Sequence, residues 1–303
     1  MKSATTKYMT AHKNGKLKEA VSYFKQSMDK CEICPRKCGA NRNHGELGLC
    51  ETGKFAVVSS YCPHFGEEEP LVGRFGSGAI FFSHCNLMCN FCQNYEVSHF
   101  NKGIKVNDFA LANIMLTLQN YGCHNINFVS PTHVLPQILS ALEYAVSMGL
   151  NIPIVYNTSS YDSVETLKHI EGIFDIYLPD IKFWDPETAE LTCKAKNYPE
   201  IARNAVREMY NQVGDLEIDD NKIARSGLLV RHLLMPDCLG ETEKVMTFLA
   251  NDVSVNTYVN VMAQFVPVGN SAQFPKINRR VSSEEYELGI LVARDAGLWR
   301  INY

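Results

Sequence analysis

Ala79-Ile80-Phe81-Phe82-Ser83-His84-Cys85-Asn86-Leu87-Met88-Cys89-Asn90-Phe91-Cys92 reads as an apolar strand that runs straight into three cysteines spaced C-x3-C-x2-C. Strand-like runs recur at 126–130, 152–156, 174–178, 228–234 and 258–265. Helical patterns fall between and after them, at 108–121, 135–148, 164–171, 186–212, 242–250 and 283–296. The last of these is opened by Ser282 or Ser283, with Glu285 as a capping-box partner. Strands that alternate with helices predict parallel βα units. Such a sheet is either an open doubly wound sheet or an incomplete barrel, and periodicity does not separate the two. In both, the active site lies at the carboxyl ends of the strands. The three cysteines sit at that end of the first strand.

The thiols define the chemistry to look for. Zinc sites usually take four protein ligands, and no fourth lies close in sequence here. A 4Fe–4S cluster normally takes four cysteines, so three would leave one iron open. The competing readings are incidental cysteines, or a zinc site completed from afar by His84, His99 or Cys62.

The rest of the composition narrows the class. The chain has 303 residues, a hydrophobic fraction of 46% and a formal net charge of -4. The slightly acidic balance argues against non-specific nucleic-acid binding. No stretch approaches the roughly 18 uncharged apolar residues of a membrane span. The start, MKSATTKYMT, has no apolar signal core, so a cytoplasmic enzyme is expected. Of the 11 cysteines, eight fall between Cys31 and Cys92. In a chain this large, with no export signal, that clustering predicts metal ligation and not a disulfide framework.

Three segments follow from texture. Residues 1–30 form a tail and an amphipathic helix, with Leu17, Ala20, Val21, Phe24 and Met28 on one face. Residues 31–78 are a Cys-, Gly-, Asn- and Pro-rich extension with one strand candidate at 55–60. Residues 79–303 carry the βα series. In the extension, Cys31, Cys34, Cys38 and Cys50 are spaced C-x2-C-x3-C-x11-C. Four thiolates on short loops close a tetrahedral zinc site or hold a second 4Fe–4S cluster; both readings stay open. Cys123, Cys193 and Cys238 read as packing residues. The acidic loop with Asp215, Glu217, Asp219 and Asp220 is a candidate gate over the site. The glycine-rich stretch Gly73 to Gly78 lacks the lysine of a phosphate-binding loop and reads as a turn into the sheet.

The C-x3-C-x2-C spacing, with Phe91 before the last cysteine, resembles the signature of the radical S-adenosylmethionine (SAM) superfamily. Further stretches resemble the branch named for pyruvate formate-lyase activating enzymes. These are His64 to Pro70, Gly73 to Ser83, Cys92 to Ser98, Asn197 to Ala202 and Val230 to Pro236. The resemblance implies a partial (β/α)6 barrel with an N-terminal metal-binding extension. It implies an oxidoreductase in which Cys85, Cys89 and Cys92 hold a 4Fe–4S cluster that cleaves SAM, giving a 5′-deoxyadenosyl radical that abstracts hydrogen, in one version from a glycine of a partner enzyme. It further implies cofactor contacts from Phe91, from Ser130 and Thr132 after the second strand, and from Asn157, Lys182 and Arg231. Asp180, with Asn157, would hold a monovalent cation. A flavodoxin or ferredoxin would supply the electron. Where the family has a carboxylate after the second strand, this chain has Ser130-Pro131-Thr132-His133, and it has Asn157 where the family has an acid. Asn260, Met262 and Gln264 on the sixth strand are expected to line the adenine and substrate side, Met262 as wall. The alternative from another class is an iron–sulfur electron-transfer protein or a zinc-stabilised binding protein.

Overall fold

The computed structural model describes residues 5–237, 239–267 and 278–302. In chain order the elements are α1 (Lys7–Lys13), α2 (Lys16–Ser27), β1 (Ala56–His64), α3 (Glu69–Val72), β2 (Ser77–Phe82), α4 (Tyr95–His99), β3 (Ile104–Val106), α5 (Asp108–Asn120), β4 (Ile126–Val129), α6 (Leu135–Ser147), β5 (Ile154–Thr158), α7 (Val164–His169), β6 (Ile176–Ile181), α8 (Pro186–Cys193), α9 (Tyr198–Val213), β7 (Glu217–Ile218), β8 (Ala224–Leu233), α10 (Leu239–Phe248), β9 (Tyr258–Met262), α11 (Ser283–Asp295) and β10 (Ile301–Asn302).

Strands β2, β4, β5, β6, β8 and β9 lie side by side in that order, all parallel. These are the runs that the apolar pattern marks out. β10 extends the sheet in parallel beyond β9. On the other side β1 pairs antiparallel with β2, and β3 with β1. The sheet is therefore open at both edges. It is also curled. Phe81, Val129, Asn157, Asp180, Arg231 and Asn260, one residue from each of the six parallel strands, line a single cavity. A flat sheet cannot bring its first and sixth strands to one space, so the incomplete barrel is the one of the two architectures that forms.

Alternation along each strand separates the two faces. On β5, Val155 points into the interior core with Ile176, Leu178 and Leu229, and its neighbour Tyr156 points out into the helix layer. The short α3 plugs the interior core from below with fully buried Leu71. In the outer layer α2 buries Leu17 and Phe24 and packs on α6.

Local chemistry sets the helix ends. Asn107 and Asp185 accept from backbone N–H groups three residues on, and Ser282 with Glu285 forms the anticipated capping box. Two expectations change. The single helix read over 186–212 is two helices. Lys194 adopts a left-handed conformation (φ 50°) that closes α8, and Pro199 sits in the first turn of α9. The acidic loop is no gate. β7 pairs with the amino-terminal end of β8, where Asp219 binds Arg225, and the cavity lies at the carboxyl end near Arg231 and Leu233. Among the described residues no helix is long and apolar enough to cross a membrane.

Candidate active site

Strand β2 ends at Phe82, and the chain then turns through His84 and Met88, both at positive φ (73° and 55°). Non-glycine residues held there store strain, which concentrates at functional sites. The turn brings Cys85, Cys89 and Cys92 to the rim of one cavity of about 330 Å³. Phe91 is buried beside them, edge-on to Phe183 and tilted against Phe265. That aromatic packing fixes the loop's inner wall.

Polar side chains come to the same cavity from every strand end. Ser130 sits at positive φ (55°), and its N–H donates to the Asn157 carbonyl. Asp180 and Lys182 form an ion pair of 2.6 Å. The second carboxylate oxygen of Asp180 is buried and has no hydrogen-bond partner. Arg231 lines the cavity, but it is already engaged. Its Nε and Nη2 donate to Glu68, each at 2.7 Å, and Nη2 also pairs with Glu67. Asn260 adds a 2.7 Å bond to Glu68. Met262 and Gln264 line the cavity as expected of the sixth strand.

Burial dominates the electrostatics of the thiol set at Cys85 and Cys92. Burial pushes the Cys85 thiol up to about 11, with Cys89 adding to it. The Cys89 thiol is raised first by a hydrogen bond with Cys193 and then by burial. Burial also raises Cys92. Thiols raised in this way hold their protons until a metal displaces them. Burial pushes the Glu68 carboxyl up, but the Arg231 guanidinium outweighs it and holds the group below its usual range.

Thr132 does not join this cavity. It is buried, donates at 2.7 Å to Asp162, and lines a second, much smaller cavity. That cavity is bounded by Cys31, Cys34, Cys38 and Cys50, so the N-terminal thiols do come together. Neither His84, His99 nor Cys62 lines the three-cysteine cavity. His99 instead stacks on Tyr95, and Cys62 is exposed on β1. Cys193 packs as expected, but its contact with Cys89 gives it a place beside the site. Cys123 is buried, and Cys238 lies outside the described residues.

The radical SAM superfamily profile matches residues 79–214, from β2 through α9, and includes all three rim cysteines. Residues 79–214 form a radical SAM superfamily domain. The chain is 35% identical over 290 residues to MJ0674 of Methanocaldococcus jannaschii, an uncharacterized protein, covering 92% of this chain and 78% of that one. The two form one family. A crystal structure of methylornithine synthase (PylB) overlays with a TM-score of 0.47 and 17% identity, over 74% of this chain and 69% of that one.

The residues present fit the superfamily's cofactors. Three thiolates would hold a 4Fe–4S cluster with one iron lacking a protein ligand, and the cavity they rim has a volume within the range of small-molecule sites, about 300–1,000 Å³. The partnerless oxygen of Asp180 supplies a buried acceptor facing that space. The cavity is also lined by residues that sequence pattern alone missed. His64 reaches the cavity from the end of β1, Ser98 from α4, and Glu67, Gln93, Asn94 and Ser159 from loops. The signal for five of them was that they fall in the stretches His64 to Pro70 and Cys92 to Ser98, which carry the resemblance but name no role.

Proposed function

We propose that this protein is a radical SAM oxidoreductase in which Cys85, Cys89 and Cys92 hold a 4Fe–4S cluster and SAM binds the fourth iron. The single observation that carries the reading is the convergence of those three thiols and all six strand ends on one cavity. When bound, the cluster and SAM supply reductive cleavage of the sulfonium and a carbon radical that abstracts hydrogen from substrate. The chain's own part is to orient and to exclude water. Phe91 walls the cluster loop. Ser130, with its strained backbone, and Asn157 offer polar groups to the amino end of SAM. Lys182 supplies the cation for its carboxylate. Arg231 is held rigid by Glu67 and Glu68 and presents what remains of its fork. The free oxygen of Asp180, near Asn157, suits a monovalent cation.

A cavity of about 330 Å³ is largely taken up by a cofactor of SAM's bulk. Substrate then meets it at the mouth. This supports a peptide segment as substrate, such as the glycine of a glycyl-radical enzyme, over a small molecule enclosed in the barrel. A flavodoxin or ferredoxin is the proposed reductant. The N-terminal thiols are proposed to hold a second metal.

The test is anaerobic reconstitution with iron and sulfide, reduction with dithionite, and measurement of 5′-deoxyadenosine and methionine. Formation of both in wild type and neither in Cys85→Ala supports the reading. A reconstituted protein whose cluster spectrum does not respond to SAM overturns it in favour of an electron-transfer or zinc-stabilised binding protein. Hydrogen loss from a glycine-containing peptide segment, followed by deuterium transfer into 5′-deoxyadenosine, tests the substrate class.

A further inference from the structure

The N-terminal cysteines are packed directly behind the catalytic loop, and two arginines make the connection. Arg42 is fully buried, and among the described residues it has no carboxylate partner. Its guanidinium donates to the carbonyls of Gly53 and His133, at 3.0–3.1 Å, and lies 3.8 Å from the Cys31 sulfur. A buried, unpaired cation costs several kcal/mol. The nearby thiols are the only groups lining that small cavity that can carry the opposite charge. Arg36 lies between Cys34 and Cys38 and also lacks a carboxylate among the described residues. Its fork donates to the carbonyls of Asn86 (3.1 Å) and Leu87 (3.0 Å), inside the catalytic loop, and of Cys193 (2.8 Å) and Lys194 (2.6 Å), at the end of α8.

The size of the enclosed space favours one of the two metals. The four thiols bound a cavity of about 10 Å³, room for about one water-sized sphere. A cubane of four irons and four sulfides is several times larger. Gly48 packs into the same corner: a Cβ there would sit 3.3 Å from the Cys50 sulfur and 3.4 Å from that of Cys38. Among the described residues no three or more His, Cys, Asp or Glu side chains are placed to hold a metal ion, so binding one requires these thiols to converge. The Cys38 thiol points at the Cys31 carbonyl, 3.8 Å away, so ligation requires it to turn inward. One divalent ion with four thiolates leaves a doubly negative centre, which the two arginines neutralise.

We propose that Cys31, Cys34, Cys38 and Cys50 bind a single thiophilic divalent ion of the zinc class, and that Arg36 uses this centre as a brace for the loop carrying Cys85 and Cys89. Arg36 is a positioning residue. It touches carbonyls of the loop and does not line the cavity of about 330 Å³. The coupling half of the proposal rests on the radical SAM reading; the ion itself does not.

The experiment uses the full chain, expressed in medium containing both zinc and iron and purified anaerobically. Zinc, iron and sulfide are counted, and the reduced cluster is examined by electron paramagnetic resonance with and without SAM. Wild type is expected to hold about one zinc, and Cys34→Ser to lose it. Loss of about four irons with no zinc change in Cys34→Ser overturns the single-ion assignment. Arg36→Ala leaves all four thiols in place. It is expected to keep zinc, to weaken cluster retention by about 10- to 100-fold, and to broaden the SAM-induced signal. Arg36→Lys, which keeps the charge without the fork, should restore little of it. An Arg36→Ala protein with zinc, iron and SAM response equal to wild type overturns the brace. If wild type holds zinc but no SAM-responsive cluster, the functional reading fails and the zinc site stands.

Discussion

Two sets of cysteines sit back to back in this molecule, and they differ in every respect except their thiols. Cys85, Cys89 and Cys92 rim a cavity of about 330 Å³ that opens between six strand ends. Cys31, Cys34, Cys38 and Cys50 enclose about 10 Å³ behind it. The wide site is lined by groups with capacity to spare, such as the free oxygen of Asp180. The tight site uses its arginines up on carbonyls. The two proposed metal assignments follow from this difference. A catalytic centre keeps a coordination position open, and a structural one closes it. The two buried arginines make the same point. Arg231 in the wide site is matched to carboxylates, whereas Arg42 in the tight site has only sulfur nearby to balance it.

The comparison breaks most sharply at the cysteines themselves. Cys85→Ala should reduce SAM cleavage to background while leaving the metal of the four-thiol site in place. Parallel product assay and metal counting would detect the opposite outcome, loss of both. Next in size is Arg231→Met. It strands Glu67 and Glu68, whose side chains are 6% and 0% exposed, and should destabilise the fold by roughly 3–5 kcal/mol in urea unfolding.

Acid should probe the packing behind β8, next to the wide site. The His232 ring is buried, with Nδ1 donating to the Ile181 carbonyl and Nε2 accepting from Thr242, and burial lowers its pKa to about 4. An imidazole held neutral in the fold contributes stability that is complete above the unfolded value near 6.5. That stability declines as pH falls toward about 4. The midpoint of urea unfolding should drop over that window, and less steeply in His232→Gln. Equal slopes for the two proteins would remove His232 as the cause.

The smallest effect separates neighbours in sequence. Thr132→Ala should cost about 1–2 kcal/mol by depriving Asp162 of a donor, with SAM binding unchanged. Ser130→Ala should weaken SAM binding by several-fold, with little loss of stability. Calorimetric titration of the two variants, read beside their unfolding curves, checks the assignment. A loss of SAM binding in Thr132→Ala would return Thr132 to the wide site.

Much of this was legible in the amino-acid order because it is written locally. Apolar period placed the six parallel strands, a Ser282–Glu285 pair placed the last helix, and C-x3-C-x2-C placed the three thiols at the productive end of β2. Spacing also gathered the four N-terminal cysteines. Long-range features were hidden for a physical reason: the chain does not record which face a side chain meets until the sheet curls. Glu68 looks like one more surface acid until Arg231, 163 residues away, lies against it. Arg36 looks like a solvated charge until four carbonyls from two distant segments converge on it. Thr132 and Ser130 are two residues apart and serve opposite cavities, because the turn after β4 sends them to different sides.

The sequence by itself determined the kind of chemistry, since thiol number and spacing limit which metals bind and whether a coordination position stays open. Only the tertiary structure decided where each thiol set sits, how much room it has and which residue touches both. Volume, charge balance and hydrogen-bond convergence are properties of segments brought together from across the chain.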